Sequence, residues 1–243
     1  MSLAGELIRT LAGALVDPGG ASRRASERPS PVLAAVAVLA AVSAAGAATL
    51  PRQLQLLAAS LGPTSVPAKD AHHLALAAGL ARLVVFDRLV PPPTVLLAGL
   101  LLAFAVEPLL GLPRDSRSRI GAVIVLGLVP LLVQRVGELV VTYAAFTPSP
   151  LTPGWVIGLP QQFVTGPALF WGRNVPGWVE ALSPRAGLMI AWSVGLWAVG
   201  LRALDGGSWR AWHLALPVAC VAGAGIVTWW FERIAVAIIL GGP

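Results

Sequence analysis

The chain has 243 residues, of which 56% are hydrophobic and only 12% charged, and its mean hydropathy is +0.79. Soluble domains carry about 25% charged residues, because a water-facing surface needs them. The composition therefore excludes an ordinary soluble protein and predicts an all-α, polytopic transmembrane helix bundle in contact with membrane lipid. The net charge of +6 is almost all arginine, in short clusters between apolar runs. This distribution lacks a basic helix or an aromatic–basic platform, so no nucleic-acid partner is predicted.

The first 30 residues are predicted to be a cytoplasmic segment ahead of a single transmembrane domain, 31–243. Within it, residues 2–16 place apolar side chains along one helix face and polar ones opposite. The run from Asp17 to Gly20 predicts the end of this amphipathic helix. So short a helix beside a span is expected to lie in the membrane interface. The alternative is that it packs on the protein's own cytoplasmic face. No cleavable signal peptide is expected, since the first apolar run starts only at Val32.

Five apolar runs approach the length of about 20 residues that a membrane-crossing helix needs. The predicted spans are 32–50, 94–112, 120–146, 186–204 and 209–230. The first is built largely of alanine, and small residues let helices approach closely in lipid. This span is therefore expected to be central rather than lipid-facing.

The connection before the second predicted span contains a further apolar stretch. Residues 72–90 include Arg82 and end near Asp87 and Arg88, and their apolar part is shorter than a span requires. We interpret them as an interfacial or re-entrant helix, with a sixth span as the alternative. Residues 147–183, rich in proline and glycine, are predicted to be a loop at a membrane surface.

The distribution of arginine predicts the orientation, because short cytoplasmic loops are enriched in Lys and Arg. With the N-terminus inside, both short inner loops are basic; they hold Arg114, Arg117 and Arg119, and Arg202 and Arg210. The predicted protein crosses the membrane five times, with its N-terminus cytoplasmic and its C-terminus outside. The excess of alanine, glycine and arginine over lysine is typical of GC-rich codons and favours a bacterial inner membrane.

Polar side chains inside the predicted spans are the candidate functional positions, because each is costly to insert unless it is paired or hydrated. They are Glu107, Gln134, Arg135, Glu138 and His213. Arg135 and Glu138 lie on one helix face and can neutralise each other. Glu107 is expected to pair with His213, Arg202 or Arg210, which lie near the same membrane side. We interpret these groups as packing contacts; an ion path and a partner site remain alternatives.

Prolines and tryptophans mark further positions in the spans. Pro108, Pro130 and Pro217 each free a carbonyl four residues earlier, which predicts helix kinks, with a transporter-type pocket as the alternative. The last span is bracketed by predicted interface anchors: Trp209, Trp212, Trp229 and Trp230.

No motif indicates an enzyme, a cofactor or a metal site. Phosphate-loop, zinc-protease and nucleophile-elbow motifs are all missing from the sequence. His72 and His73 would point about 100° apart in a helix, without an acidic or cysteine cluster beside them. Cys220 is the single cysteine and cannot form an intrachain disulfide. No catalytic residue is predicted.

The order of these features resembles the Yip1-domain membrane proteins. Three groups of residues carry the resemblance. The first is a Val-Asp-Pro turn followed by a charged stretch and a proline: Val16, Asp17, Pro18, Arg23, Arg24, Glu27, Arg28 and Pro29. The second is a proline-containing run in the third span: Gly127, Leu128, Val129 and Pro130. The third precedes the last span: Trp197, Gly200, Leu201 and then Trp209 to Trp212.

The resemblance implies a five-helix bundle with a cytoplasmic N-terminus and offers no catalytic residues. Eukaryotic members of the family act in vesicle traffic and bind small GTPases and coat components. Some bacterial members are thought to work beside ABC-type exporters or in envelope stress. The chain departs from the family pattern in its long segment 147–183.

The sequence thus favours a non-enzymatic accessory or scaffold subunit that associates with another membrane protein or with further copies of itself. The alternative is a small transporter or channel that uses Glu107, Arg135 and Glu138.

Overall fold

All described elements of the chain are helices. The computed structural model describes residues 3–27, 31–61, 78–82, 84–85, 88–89, 93–111, 117–144, 152–153, 156 and 187–239. The helices are α1 (Leu3–Val16), α2 (Pro18–Glu27), α3 (Pro31–Leu61), α4 (Pro93–Leu110), α5 (Arg117–Leu126), α6 (Val129–Ala144), α7 (Leu188–Leu204) and α8 (Trp212–Ile239). Three stretches are long and apolar enough to cross a membrane: Ala34–Leu61, Arg117–Ala144 and Trp212–Phe231. Two shorter apolar helices, Thr94–Leu109 and Leu188–Leu204, accompany them. The protein is a helical membrane protein.

The turn after α1 starts a second helix, where the sequence predicted only an end. Pro18 is the first residue of α2, a position where a missing N–H costs nothing and the fixed φ angle suits a helix. The Asp17 carboxylate accepts the backbone N–H of Gly20 at 2.9 Å, which is an N-terminal cap. The two helices pack together, and α2 packs against α5 and α7. Ala14 and Ala21 are fully buried there. Residues 3–27 therefore lie against the bundle.

Helix α3 extends eleven residues beyond the predicted boundary at Leu50 and passes through Pro51. Two hydroxyl groups supply donors to carbonyls of the turn before this proline. The Thr49 hydroxyl donates to the Gly46 carbonyl at 2.6 Å, and the Tyr143 hydroxyl donates to the Ala48 carbonyl at 3.0 Å. Both bonds add to the turn before the proline, although the carbonyl that Pro51 itself deprives of a helical donor is that of Ala47.

The remaining helices alternate in direction along the chain when α5 and α6 are counted together as one. Tyr143 near the end of α6 reaches the middle of α3, and Arg88 joins Gly46 of α3 to Glu138 of α6, so α3 and α6 run the same way. Helix α4 packs antiparallel to α8, since the hydroxyls of Thr94 and Thr228 lie 2.9 Å apart. One end of the bundle, which we call the basic end, carries the arginines at the start of α5 and around the α7–α8 turn: Arg117, Arg119, Arg202 and Arg210.

The predicted span 120–146 corresponds to the apolar stretch Arg117–Ala144, which is interrupted because α5 ends at Leu126 and α6 begins at Val129. The N–H of Leu128 bonds to the Val125 carbonyl at 3.0 Å instead of the Ile124 carbonyl. The indole N–H of Trp197 replaces it and donates to the Ile124 carbonyl at 3.0 Å. The break therefore falls before Pro130, which occupies the first turn of α6 where a proline costs no hydrogen bond.

Two glycines let α7 approach this broken helix. A Cβ atom at Gly127 would collide with the indole of Trp197, and one at Gly200 would collide with Val123. Trp197 is fully buried as a result and joins the main core, to which all helices from α3 to α8 contribute. The second and third groups of residues that carry the Yip1-domain resemblance therefore meet at this contact, which we call the tryptophan lock (Ile124, Gly127 and Trp197).

Helix α3 is not the central helix that its alanine content predicted. Only 28% of its apolar window is buried, against 61% for Arg117–Ala144, which is the helix that the others surround. One face of α3 packs inward through Val38, Val42 and Gly46. The opposite face is exposed and carries Val36, followed by alanines four residues apart: Ala40, Ala44 and Ala48. Within the described residues, this alanine face has no helix against it.

Candidate functional site: a buried arginine–glutamate cluster

Three charged side chains come together between α3, α6 and the short helical piece 88–89. Arg88 and Arg135 both donate to Oε2 of Glu138, at 2.7 and 2.8 Å. Their side chains are 4% and 6% exposed, and that of Glu138 is 7% exposed. We call these three residues the arginine–glutamate cluster. Charges so deeply buried are tolerated because each has an opposite charge in contact.

The carboxylate of Glu138 accepts hydrogen bonds from three side chains. Oε2 receives both guanidinium groups, and Oε1 receives the Gln134 amide at 2.9 Å. The backbone carbonyl of Glu138 accepts the Thr142 hydroxyl at 2.7 Å. Gln134, Glu138 and Thr142 are each four residues apart, so α6 presents them as one polar stripe. Three fixed donors thus occupy most of the about four acceptor positions of this carboxylate, so its main effect is to hold the helices together.

Helix α3 accommodates the cluster through a glycine and two polar residues. A Cβ atom at Gly46 would collide with the backbone carbonyl oxygen of Arg88, so only glycine allows the 88–89 piece to lie this close. The Thr49 hydroxyl contacts the Gln53 amide oxygen at 3.3 Å, and the Gln53 amide reaches the Val156 carbonyl at 3.5 Å. Both side chains are buried. Polar contacts thus tie two separate connections, at Arg88 and at Val156, to the α3–α6 pair.

Sequence reasoning missed Arg88, Thr49 and Gln53 as members of this site. Arg88 lies outside every predicted span, and nothing in its local sequence shows which helix it will meet. Thr49 and Gln53 carried a usable signal, because they lie with Gly46 on one face of an otherwise alanine-rich helix.

Glu107 lies apart from the cluster and has a different partner from the one expected. The Arg117 guanidinium donates to both carboxylate oxygens of Glu107, with N–O distances of 2.8 to 3.1 Å. The Arg117 side chain is 65% exposed and that of Glu107 is 34% exposed. The expected pairing with His213, Arg202 or Arg210 is therefore wrong. This pair joins the end of α4 to the start of α5.

His213 is buried at the basic end, in a fixed tautomer. Its Nδ1 accepts the backbone N–H of Arg210 at 3.0 Å, so Nε2 must carry the proton that points at Asp205 Oδ2, also 3.0 Å away. Arg210 approaches the same carboxylate oxygen at 3.4 Å. Both ring nitrogens are occupied by the protein itself. His213 therefore joins the end of α7 to the start of α8, and this geometry leaves no nitrogen free for general-base chemistry.

The other positions singled out in the sequence are distributed as follows. Helices α4 and α8 continue through Pro108 and Pro217 without a break. Trp209 lies outside α8, whose first residue is Trp212, and both rings contact His213. At the far end, Trp229 stacks edge-on with Trp230 and lies under Arg233 at 4.5 Å. His72, His73, nearly all of 147–183 and most of 72–90 lie outside the described residues.

Among the residues that the structure describes, no group of three metal-ligating side chains comes together. The arrangement can hold helices in register, through one buried ion cluster, one surface ion pair and one capped histidine. No family model, no curated protein and no solved structure matches this chain.

Proposed function

We propose that the protein is a non-enzymatic subunit of the membrane that assembles with a second membrane protein or another copy of itself. The observation that carries the proposal is the exposed alanine face of α3, defined by Ala40, Ala44 and Ala48. A bacterial inner membrane, five spans and a cytoplasmic N-terminus belong to the same proposal. They are supported by the basic loops, since the described helices place Arg117 and Arg210 at one end.

Small residues at every fourth position contribute to helix association only when another helix packs against them. Lipid chains solvate leucine as well as alanine, so contact with lipid does not favour small side chains on one face of a helix. Helix–helix association in a membrane depends on close backbone approach and the van der Waals contact that follows. The inward face of the same helix carries Val38, Val42 and Gly46, whereas the exposed face after Val36 carries alanines and has no helix against it among the described residues.

The resemblance to Yip1-domain proteins is part of this proposal. Two of the residues that carry it, Gly127 and Trp197, belong to the tryptophan lock, a packing contact between the α5–α6 turn and α7. Their role here is to build a rigid bundle, and a rigid bundle is what an accessory subunit needs to present one constant face.

The experiment is site-specific crosslinking in native membranes. A photo-crosslinking amino acid at position 44 is expected to give a discrete protein adduct, whereas the same group at position 222, an exposed alanine of α8, is expected to give mainly lipid adducts. Purification in mild detergent should then recover the crosslinked partner in stoichiometric amount. A differently tagged copy of this chain distinguishes a homo-oligomer from a distinct partner.

A pair of matched substitutions tests the close approach itself. Ala44→Leu adds bulk to the alanine face and is expected to abolish co-purification of the partner, while Ala222→Leu adds the same bulk elsewhere and should leave it intact. If Ala44→Leu retains the partner, or position 44 yields only lipid adducts, the proposal fails.

The transporter alternative has one specific observation in its favour, the burial of three ionisable side chains within the bundle. Ion or substrate flux across liposomes that contain the purified protein tests it. A flux that Glu138→Gln alters but Glu107→Gln does not would favour transport. Flux equal to that of empty liposomes would leave the cluster as a structural element.

A further inference from the structure

A groove at the basic end is not used by the proposed assembly through α3. It opens between the second half of α7 and the start of α8 and has a volume of about 570 Å³. Its lining residues include Gly195, Ala198 and Val199 from α7, and Trp209, Arg210 and Leu214 from the turn and α8. This volume falls in the range of about 300–1,000 Å³ that is usual for sites of small organic ligands.

The interior of the groove is apolar and open. Gly195, Ala198 and Val199 are spaced on one helix face, and the position of a Cβ at Gly195 has no atom within 4 Å. Leu214, whose side chain is 54% exposed, forms the opposite wall. From Gly195 to Arg202 the helix rises about 10 Å at about 1.5 Å per residue. The distance along α7 is therefore long enough for several methylene groups of an acyl chain.

The mouth of the groove is cationic and aromatic. The Arg210 side chain is 60% exposed, and Trp209 is 55% exposed. Arg202 lies over the Trp209 ring at 4.9 Å, which adds a second cation at the same level. Among the described residues, the nearby carboxylate is that of Asp205, which is 14% exposed and contacts both His213 and Arg210. Two arginines thus face a single, largely buried acid at the depth of the basic end.

We propose that this groove binds one anionic phospholipid, with an acyl chain along Gly195 and Leu214 and the phosphate at Arg210 and Arg202. The charge complementarity selects this occupant, because lipid phosphates of the cytoplasmic leaflet are the anions that basic pockets between spans meet. An indole at the mouth suits the level of the headgroups, where tryptophan is enriched. A helix of another protein could fill the apolar part, but it would provide no anion for the exposed guanidinium of Arg210.

The test is native mass spectrometry of the full-length protein after exchange into detergent with equal amounts of phosphatidylglycerol and phosphatidylcholine of matched chains. The wild-type protein is expected to retain one lipid, with phosphatidylglycerol in excess. Arg210→Gln is expected to reduce the ratio of the two retained lipids about fivefold, the effect of one cationic side chain at a membrane surface. Arg233→Gln, which removes an arginine beside a tryptophan at the far end, should leave the ratio unchanged.

Filling the groove separates its apolar part from its charge. Gly195→Leu is expected to lower retention of both lipids at least about fivefold, whereas Gly223→Leu, at another open glycine of the bundle, should retain them as the wild type does. Equal retention by Gly195→Leu and Gly223→Leu would overturn the proposal. So would a wild-type protein without preference for the anionic lipid, or an Arg210→Gln variant whose preference is unchanged.

Discussion

The tryptophan lock makes a quantitative prediction about a single methyl group. In Gly127→Ala the new Cβ would overlap the Nε1, Cδ1 and Cε2 atoms of the buried Trp197 ring. Overfilling a packed core costs about 1–3 kcal/mol. Moving the indole also weakens its bond to the Ile124 carbonyl, and a buried carbonyl without a donor costs about 1–3 kcal/mol more. We expect Gly127→Ala to lower the free energy of unfolding by about 2–5 kcal/mol.

Reversible unfolding in mixed detergent micelles, followed by circular dichroism, measures this change. Gly223→Ala is the matched control, because a Cβ there meets no atom within 4 Å and alanine is a better helix former than glycine by about 1 kcal/mol. The control is expected to be neutral or slightly stabilising. If the two glycine variants unfold at the same denaturant activity, the steric argument is wrong.

A double-mutant cycle identifies the ring as the cause. Trp197→Phe removes the indole nitrogen that lies nearest to the new methyl group, and it also removes the donor to Ile124. Gly127→Ala should therefore cost at least about 1 kcal/mol less in the Trp197→Phe background than in the wild type. Additive costs would refute the reasoning, since they would show that the methyl group and the ring do not interact.

Two further predictions concern the buried charges and the topology. Glu138→Gln leaves two buried guanidinium groups without their shared anion and should destabilise the protein by about 3–5 kcal/mol in the same unfolding assay. Glu107→Gln, in an exposed pair, should cost no more than about 1 kcal/mol, and a similar loss in both variants would contradict the assignment of the buried cluster. In a Cys220→Ala background, Ser118→Cys and Thr152→Cys should react with a membrane-impermeant maleimide from opposite sides of the membrane. Labelling of both from one side would contradict the predicted crossing pattern.

Apolar runs located the helices well, but turn signals were misinterpreted at two prolines. The predicted span 94–112 differs from α4 (Pro93–Leu110) by two residues at most, because a run of apolar side chains has few other structures available in lipid. The Asp17-Pro18 pair predicted only an end, although the same dipeptide is a good cap and first residue for a new helix. At Pro51 the sequence predicted an end, but the helix continues through the proline to Leu61.

Contacts between distant segments were beyond the reach of the sequence. The spacing of Arg135 and Glu138 predicts that they share a face, and the structure places them 2.8 Å apart. Arg88 joins them from 50 residues away, and no local pattern indicates which helix it meets. The same holds for Trp197, whose indole replaces a backbone donor in another helix. Such pairings depend on the packing of the whole bundle, whereas spacing rules apply within one helix.

The unequal helix lengths have a consequence for the surrounding bilayer. Helices α4 and α7, of 18 and 17 residues, are about 27 and 25 Å long, whereas the hydrocarbon layer is about 30 Å thick. The apolar stretch of α8, Trp212–Phe231, has 20 residues and matches that thickness. Lipids beside α7 therefore have to shorten while those beside α8 do not, at a cost of fractions of a kcal/mol per Å. A protein with one thin side gathers short or disordered chains there and is drawn towards thinner regions of the membrane.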